Sequence, residues 1–171
     1  MNAFLRSSRS STPRAALRFS SLKHNVVLRR NLMTIKSPLY TAHATAHGKG
    51  RDGEVKSDDD AGLSVRLATP KSLGGNGDGQ NPEQLLAMGY AACFLTALQV
   101  SAGKMGKSDQ AKSATVHANV HIGDAKEVDG YGLSVDLKID GVQDQDLIDA
   151  AHQLCPYSRA FAHGAVVNVS K

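Results

Sequence analysis

Tryptophan is absent from the 171-residue chain, and phenylalanine and tyrosine occur four times each. A core drawn from this composition must rest on Ala, Val, Leu and Ile, with rings at a few positions only. Cysteine is almost as scarce: Cys93 and Cys155, 62 positions apart, are the whole supply. That number excludes a disulfide-stapled scaffold, and neither Cys-x-x-Cys nor His-Glu-x-x-His occurs, so no metal site is expected. In a reducing compartment two such thiols are either small buried hydrophobes or reactive groups. No continuous apolar run approaches the roughly 20 residues that cross a bilayer, so no membrane span is expected. No acidic residue precedes Asp52.

The missing acid reveals a segregation of charge. Residues 1–36 hold eight of the 20 Lys and Arg residues, and all 16 Asp and Glu follow them. The net charge of +4 therefore divides into a basic, Ser-rich leader and a body of net −4 from residue 37 onward. The leader has the composition of a mitochondrial transit peptide, removable and disordered, and predicts a matrix location. The mildly acidic body carries no basic footprint for nucleic acid. The expected organisation is thus a targeting segment at 1–36 and one domain at 37–171.

Within the body, alternation predicts a strand over Tyr40–Ala46, a short strand at Glu54–Ser57 and a half-buried strand through Leu63, Val65 and Leu67. Asn81-Pro82-Glu83-Gln84 predicts a helix start with a capping box and proline at the first helical position, the helix running to near Gly103. Two alternating runs, Val116–Ile122 and Leu133–Ile139, predict a hairpin. A second helix starts near Asp144, and Pro156 interrupts it just after Cys155. Ala165–Val169 is predicted as a last short strand. Strands in hairpins, with helices between them, indicate an α+β fold with largely antiparallel sheets.

Residue chemistry leaves the cysteines open. A Cys amid Ala and Leu is by default a buried hydrophobe, and reactivity requires a cation nearby. Arg51, in the Gly-rich turn Gly48–Gly53, is the natural candidate. Glu83 precedes Cys93 by ten residues, about 15 Å along a helix, so the two meet only if a second chain brings another such helix alongside. Alone, Glu83 reads as a charge complementing the helix dipole. His117 and His121 share a strand face about 13 Å apart, too far to bind one ion. A cysteine hydrolase or acyl transferase, or a non-catalytic lipid-binding dimer, would also suit two such thiols.

Three segments decide among these: Gly50-Arg51-Asp52-Gly53, Asn81-Pro82-Glu83-Gln84-Leu85 running into Gly89-Tyr90-Ala91-Ala92-Cys93-Phe94, and Ala151-His152-Gln153-Leu154-Cys155-Pro156-Tyr157-Ser158. Together they resemble the organic hydroperoxide resistance branch of the Ohr/OsmC superfamily over about residues 38–170. The resemblance implies an OsmC-like intertwined homodimer, with sheets around two central helices and sites at the subunit interface. It implies thiol-dependent reduction of organic hydroperoxides, with Cys93 peroxidatic, Cys155 resolving, and Arg51 and Glu83 a charged pair around the thiol. It implies no bound cofactor, but a dithiol co-substrate such as the dihydrolipoyl group of a lipoylated protein. Two positions depart from the family pattern. Gly48-Lys49-Gly50-Arg51 stands where Gly-Gly-Arg is usual, and Leu86 where an aromatic residue is common.

Overall fold

A computed structural model describes residues 32–171. Most of the predicted leader, residues 1–31, lies outside the described residues. Its last part does not. The Met33 N–H donates to the Gly164 carbonyl at 3.2 Å, and Met33 bridges Ala165 in parallel.

Three short strands, β1 (Ala44–His47), β2 (Glu54–Ser57) and β3 (Ser64–Arg66), form an antiparallel sheet in that order. The predicted first strand is shorter than its alternation, because Ala44 pairs with Ser57, the last residue of β2, and among the described residues Tyr40–His43 meet no partner strand. A loop leads from β3 to α1 (Pro82–Lys104). The helix start is as predicted: Asn81 Oδ1 accepts from the Gln84 N–H at 2.9 Å, and Gln84 Oε1 accepts from the Asn81 N–H at 2.8 Å. A one-turn helix, α2 (Ser108–Ala111), follows. The strands β4 (Thr115–Asp124) and β5 (Tyr131–Asp140) then pair in full antiparallel register as a separate two-stranded sheet.

The chain ends with α3 (Gln145–Leu154) and α4 (Pro156–His163). At Pro156 the structure departs from the expected helix interruption. Pro156 does not merely end a helix; it occupies the first position of a new one, where its missing N–H costs nothing. Cys155, with φ −63° and ψ 121°, is the single extended residue between the two helices. The predicted strand Ala165–Val169 is also corrected: beyond the bridge at Ala165 the segment is irregular, and Val166, Val167 and Val169 are exposed. Alternation alone makes no strand where no edge is offered.

Phe94, Leu98 and Ala102 of α1 meet Leu147 and Ala151 of α3 at the centre of the core, and Cys155 closes it. One face of the hairpin (Val116, Ala118, Val135, Leu137 and Ile139) packs against them. Full burial of each large apolar side chain contributes about 1.5–3 kcal/mol, so the α1–α3–hairpin unit carries most of the apolar stabilisation. Among the described residues α1 is the one helix long and apolar enough by length and composition to cross a membrane, although polar residues interrupt its apolar run. Here it supplies the middle of the core.

Candidate active site

The four residues singled out from the sequence gather as two pairs. The first is electrostatic. Gly48 and Gly50 have φ of +91° and +62°, values open chiefly to glycine, and a Cβ on Gly53 would stand 2.2 Å from the His47 carbonyl oxygen. These glycines fold the turn so that Arg51 points at the first turn of α1. Arg51 grips Glu83 with both terminal nitrogens, Nη1 to Oε1 at 3.1 Å and Nη2 to Oε2. Such a fork fixes direction as well as charge. The guanidinium holds the Glu83 carboxyl below its usual range, against the opposing effect of burial. Asp52 anchors the turn by accepting from the Thr69 N–H at 2.9 Å. The departure from the Gly-Gly-Arg pattern leaves Arg51 within reach of Glu83.

The second pair is sulfur. Cys93, half-buried in the middle of α1, and Cys155, fully buried, are both free thiols, with Sγ atoms 3.5 Å apart. Burial pushes the Cys93 thiol up from its ordinary value; the Tyr157 backbone N–H, hydrogen-bonded to its sulfur, pulls it down; the Cys155 sulfur adds to the rise. Arg51 is not among the groups acting on that sulfur, nor does it line the hollow beside it. Within one chain the two pairs therefore stay apart, separated by about 15 Å of helix.

Sequence reasoning missed the support of the sulfur pair. Because Pro156 opens α4, the Tyr157 N–H is the first amide of that helix, and it faces the sulfur with the positive end of the helix behind it. Cys-Pro followed by helix formers was the available signal. Tyr90, one turn before Cys93, donates its hydroxyl to Ser158 Oγ at 2.9 Å in a buried contact that ties α1 to α4. The Tyr90 ring stacks on Phe161 and meets Tyr157 edge-on, with centroids 5.6 Å apart in both pairs. Gly89 leaves room for Tyr157, whose hydroxyl would be 3.2 Å from a Cβ there. Beside Cys93 opens a hollow of about 440 Å³ walled by Thr96, Ala97, Val100, Leu154 and Pro156.

The two strand histidines each face their own carboxylate, His117 with Asp140 at 3.0 Å and His121 with Asp136 at 3.1 Å.

The chain that carries this free thiol pair, and the Arg–Glu fork at the start of α1, has relatives. The model of the OsmC-like protein family matches residues 75–170. An organic hydroperoxide resistance protein of Xanthomonas axonopodis pv. citri is 47% identical over 71% of this chain and 87% of its own length. The chain belongs to the organic hydroperoxide resistance branch of the OsmC-like family. Among solved structures, one from Vibrio cholerae, described as a putative organic hydroperoxide resistance protein with captopril in one of its active sites, superposes with a TM-score of 0.67 at 40% identity, covering 82% of this chain and 95% of that one. OhrB of Bacillus subtilis superposes with a TM-score of 0.62 at 34% identity, covering 77% and 97%. The α+β, OsmC-like architecture expected from the sequence is thus the architecture found.

Proposed function

We propose that this protein reduces organic hydroperoxides, alkyl or fatty-acid, with Cys93 as the attacking thiol and Cys155 as the resolving one. The observation that carries the reading is the 3.5 Å separation of two free sulfurs joined by no regular element, within a family whose relatives are named for organic hydroperoxide resistance. The Cys93 thiolate attacks the outer oxygen of ROOH, the O–O bond breaks, and the alkoxide leaves as ROH after taking a proton. Cys93 is then a sulfenic acid, two electrons more oxidised. The Cys155 thiol condenses with it, forming the S–S bond and releasing water. An external dithiol reopens the bond by exchange and leaves oxidised; a dihydrolipoyl group is the proposed donor, and the protein needs no resident cofactor.

Arg51 and Glu83 enter through a second copy. We read the enzyme as a homodimer in which the Arg51–Glu83 fork of one site stands beside a Cys93 sulfur. There Arg51 lowers the thiol's pKa and stabilises charge on the departing oxygen. Support comes from surfaces left open in one chain: all of β1 is exposed, as are Met88, Val166 and Val167. The basic, acid-free leader supports import into the mitochondrial matrix, where lipoylated complexes supply dithiols. An acyl-transfer reading finds less support, because no histidine stands in hydrogen bond to Cys93 among the described residues.

The test is a thiol count and intact mass after one equivalent of cumene hydroperoxide. The expected result is loss of both thiols and of two hydrogens per chain. Cys93→Ser should abolish turnover; Cys155→Ser should allow one oxidation and then stall. Full activity in Cys93→Ser would end the scheme.

A further inference from the structure

Arg51 is held at its tip and at its root by different groups. At the tip both terminal nitrogens go to Glu83, while Nε is buried with no hydrogen-bond partner among the described residues. The polar contacts of the side chain are thus confined to the fork. At the root stands Asp52, an exposed residue whose carboxylate takes both donors of Thr69. The Thr69 N–H reaches Oδ1 at 2.9 Å and the Thr69 hydroxyl reaches Oδ2 at 3.3 Å. Hydrogen bonds to an ionised acceptor are stronger than neutral ones, and a pair of them fixes orientation as well.

Thr69 is itself fixed from the other side. Its carbonyl accepts from the Gly77 N–H at 3.0 Å, and a Cβ on Gly75 would collide with that same oxygen. The glycine-rich loop before α1 therefore lies backbone on backbone against Thr69. The loop closes at Gln80, whose carbonyl accepts from the Ala68 N–H at 2.8 Å, and the next residue, Asn81, caps the helix that carries Glu83. Arg51, Asp52, Thr69, the loop and Glu83 form a closed ring. One loop holds both the anchor of the turn and the partner of the guanidinium.

We propose that Asp52 is a positioning residue, whose paired bonds to Thr69 set the direction in which Arg51 presents its charge to the Cys93 sulfur of a second copy. The inference rests on the role given to Arg51 above and adds what aims it. The sign of the effect separates aim from charge. By charge alone, removing the Asp52 carboxylate makes the surroundings more positive, favours the thiolate and lowers the Cys93 pKa. Through aim, removing it lets the guanidinium drift from the sulfur and raises that pKa. A drift of about 1 Å is enough to matter, since misplacement on that scale costs up to about a hundredfold in rate.

The experiment uses the assembled full-length protein and its D52A, D52N, R51A and R51A/D52A variants. Alkylation by iodoacetamide, read at Cys93 by peptide mass, is followed against pH, and oxidation of Cys93 by cumene hydroperoxide is timed. D52A should raise the alkylation midpoint by about one pH unit and slow the oxidation about tenfold. Its urea midpoint should stay close to the parent's. D52N keeps an acceptor for the Thr69 N–H without the charge and should give a smaller rise. In the R51A background D52A should add nothing, because no guanidinium is left to aim. A midpoint that stays or falls in D52A, an equal rise in D52N, or a D52A effect undiminished by R51A overturns the proposal. If R51A itself matches the parent in midpoint and rate, the activating role of Arg51 falls by itself. The Glu83 carboxyl, followed by carbon-13 NMR, then still decides the part played by Asp52. Arg51 holds that carboxyl below its usual range, and loss of the Asp52 charge alone would lower it further. A rise toward the ordinary carboxyl range in D52A supports the positioning role, and an unchanged or lower pKa overturns it.

Discussion

The two sheets of this protein are built alike and situated differently. The hairpin β4–β5 turns one face onto α1 and α3 and shares their core, whereas the small sheet β1–β3 buries none of its strand residues. It is tied to the rest at one end, through Arg66 and Ala68 hydrogen-bonded to Gln80, through Asp52 on Thr69, and through Arg51 on Glu83. One region is stabilised by apolar area and the other held by polar contacts. The sulfur pair belongs to the first and the charged pair to the second. What one chain brings together is therefore the two sulfurs, and under the proposed scheme the charged pair reaches them only from a further surface.

Breaking the packed region should cost most. Leu98→Ala, at a fully buried position, should lower unfolding stability by about 2–5 kcal/mol in a urea titration. Arg51→Ala should do the reverse: it should leave the urea midpoint of the core close to the parent's while reducing peroxide turnover about a hundredfold, the usual scale for one lost charge-stabilising donor. Tyr90→Phe leaves Ser158 without its partner inside the protein and should cost about 1–3 kcal/mol. Because that bond also holds α4 against α1, the variant should oxidise more slowly at Cys93 than its stability loss explains. Val55→Ala, in the uncovered sheet, should cost under about 1 kcal/mol.

The pH dependences sharpen the same division. The Glu83 carboxyl is lowered on folding, so its contribution is present above the unfolded carboxyl pKa and disappears only as pH falls through the lower folded value. The Arg51–Glu83 fork is thus intact throughout the neutral range. The Cys93 thiol is raised, so in a single chain its thiolate fraction, and its rate of alkylation by iodoacetamide, should climb with pH past neutrality into the alkaline range. A rate already level at neutral pH in the assembled protein would mean that Arg51 of a second copy has reached the sulfur.

Much of this could be read from the sequence, for identifiable reasons. The start of α1 was legible because Asn81, Pro82 and Gln84 satisfy backbone groups locally, and a capping box needs no tertiary partner. The hairpin was legible because seven-residue alternation in both runs leaves one register that buries the apolar face, and the paired strands extend beyond it to ten residues each. Arg51 and Glu83 were expected together only through the family resemblance, since residue chemistry alone gave Glu83 no more than a place beside the helix dipole; the fork between them is seen in the structure. What could not be read depends on neighbours. Tyr40–His43 and Val166–Val169 have strand-like composition but, among the described residues, no edge to join. The second role of Pro156 depends on the seven residues after it completing α4 and packing back on Tyr90.

Tyr90 and Tyr157 have a further use. With no tryptophan to mask them, four tyrosines account for the intrinsic emission of the chain, and two of them meet edge-on beside the sulfurs. Joining Cys93 to Cys155 requires the sulfurs to approach by about 1.5 Å, from contact to bonding distance. Cys155 is the joint between α3 and α4, so the approach shifts Tyr157 against Gly89 and Tyr90. The redox state of the pair should therefore be readable without any label, as a change in tyrosine fluorescence that follows each turnover in real time and vanishes in Tyr157→Leu.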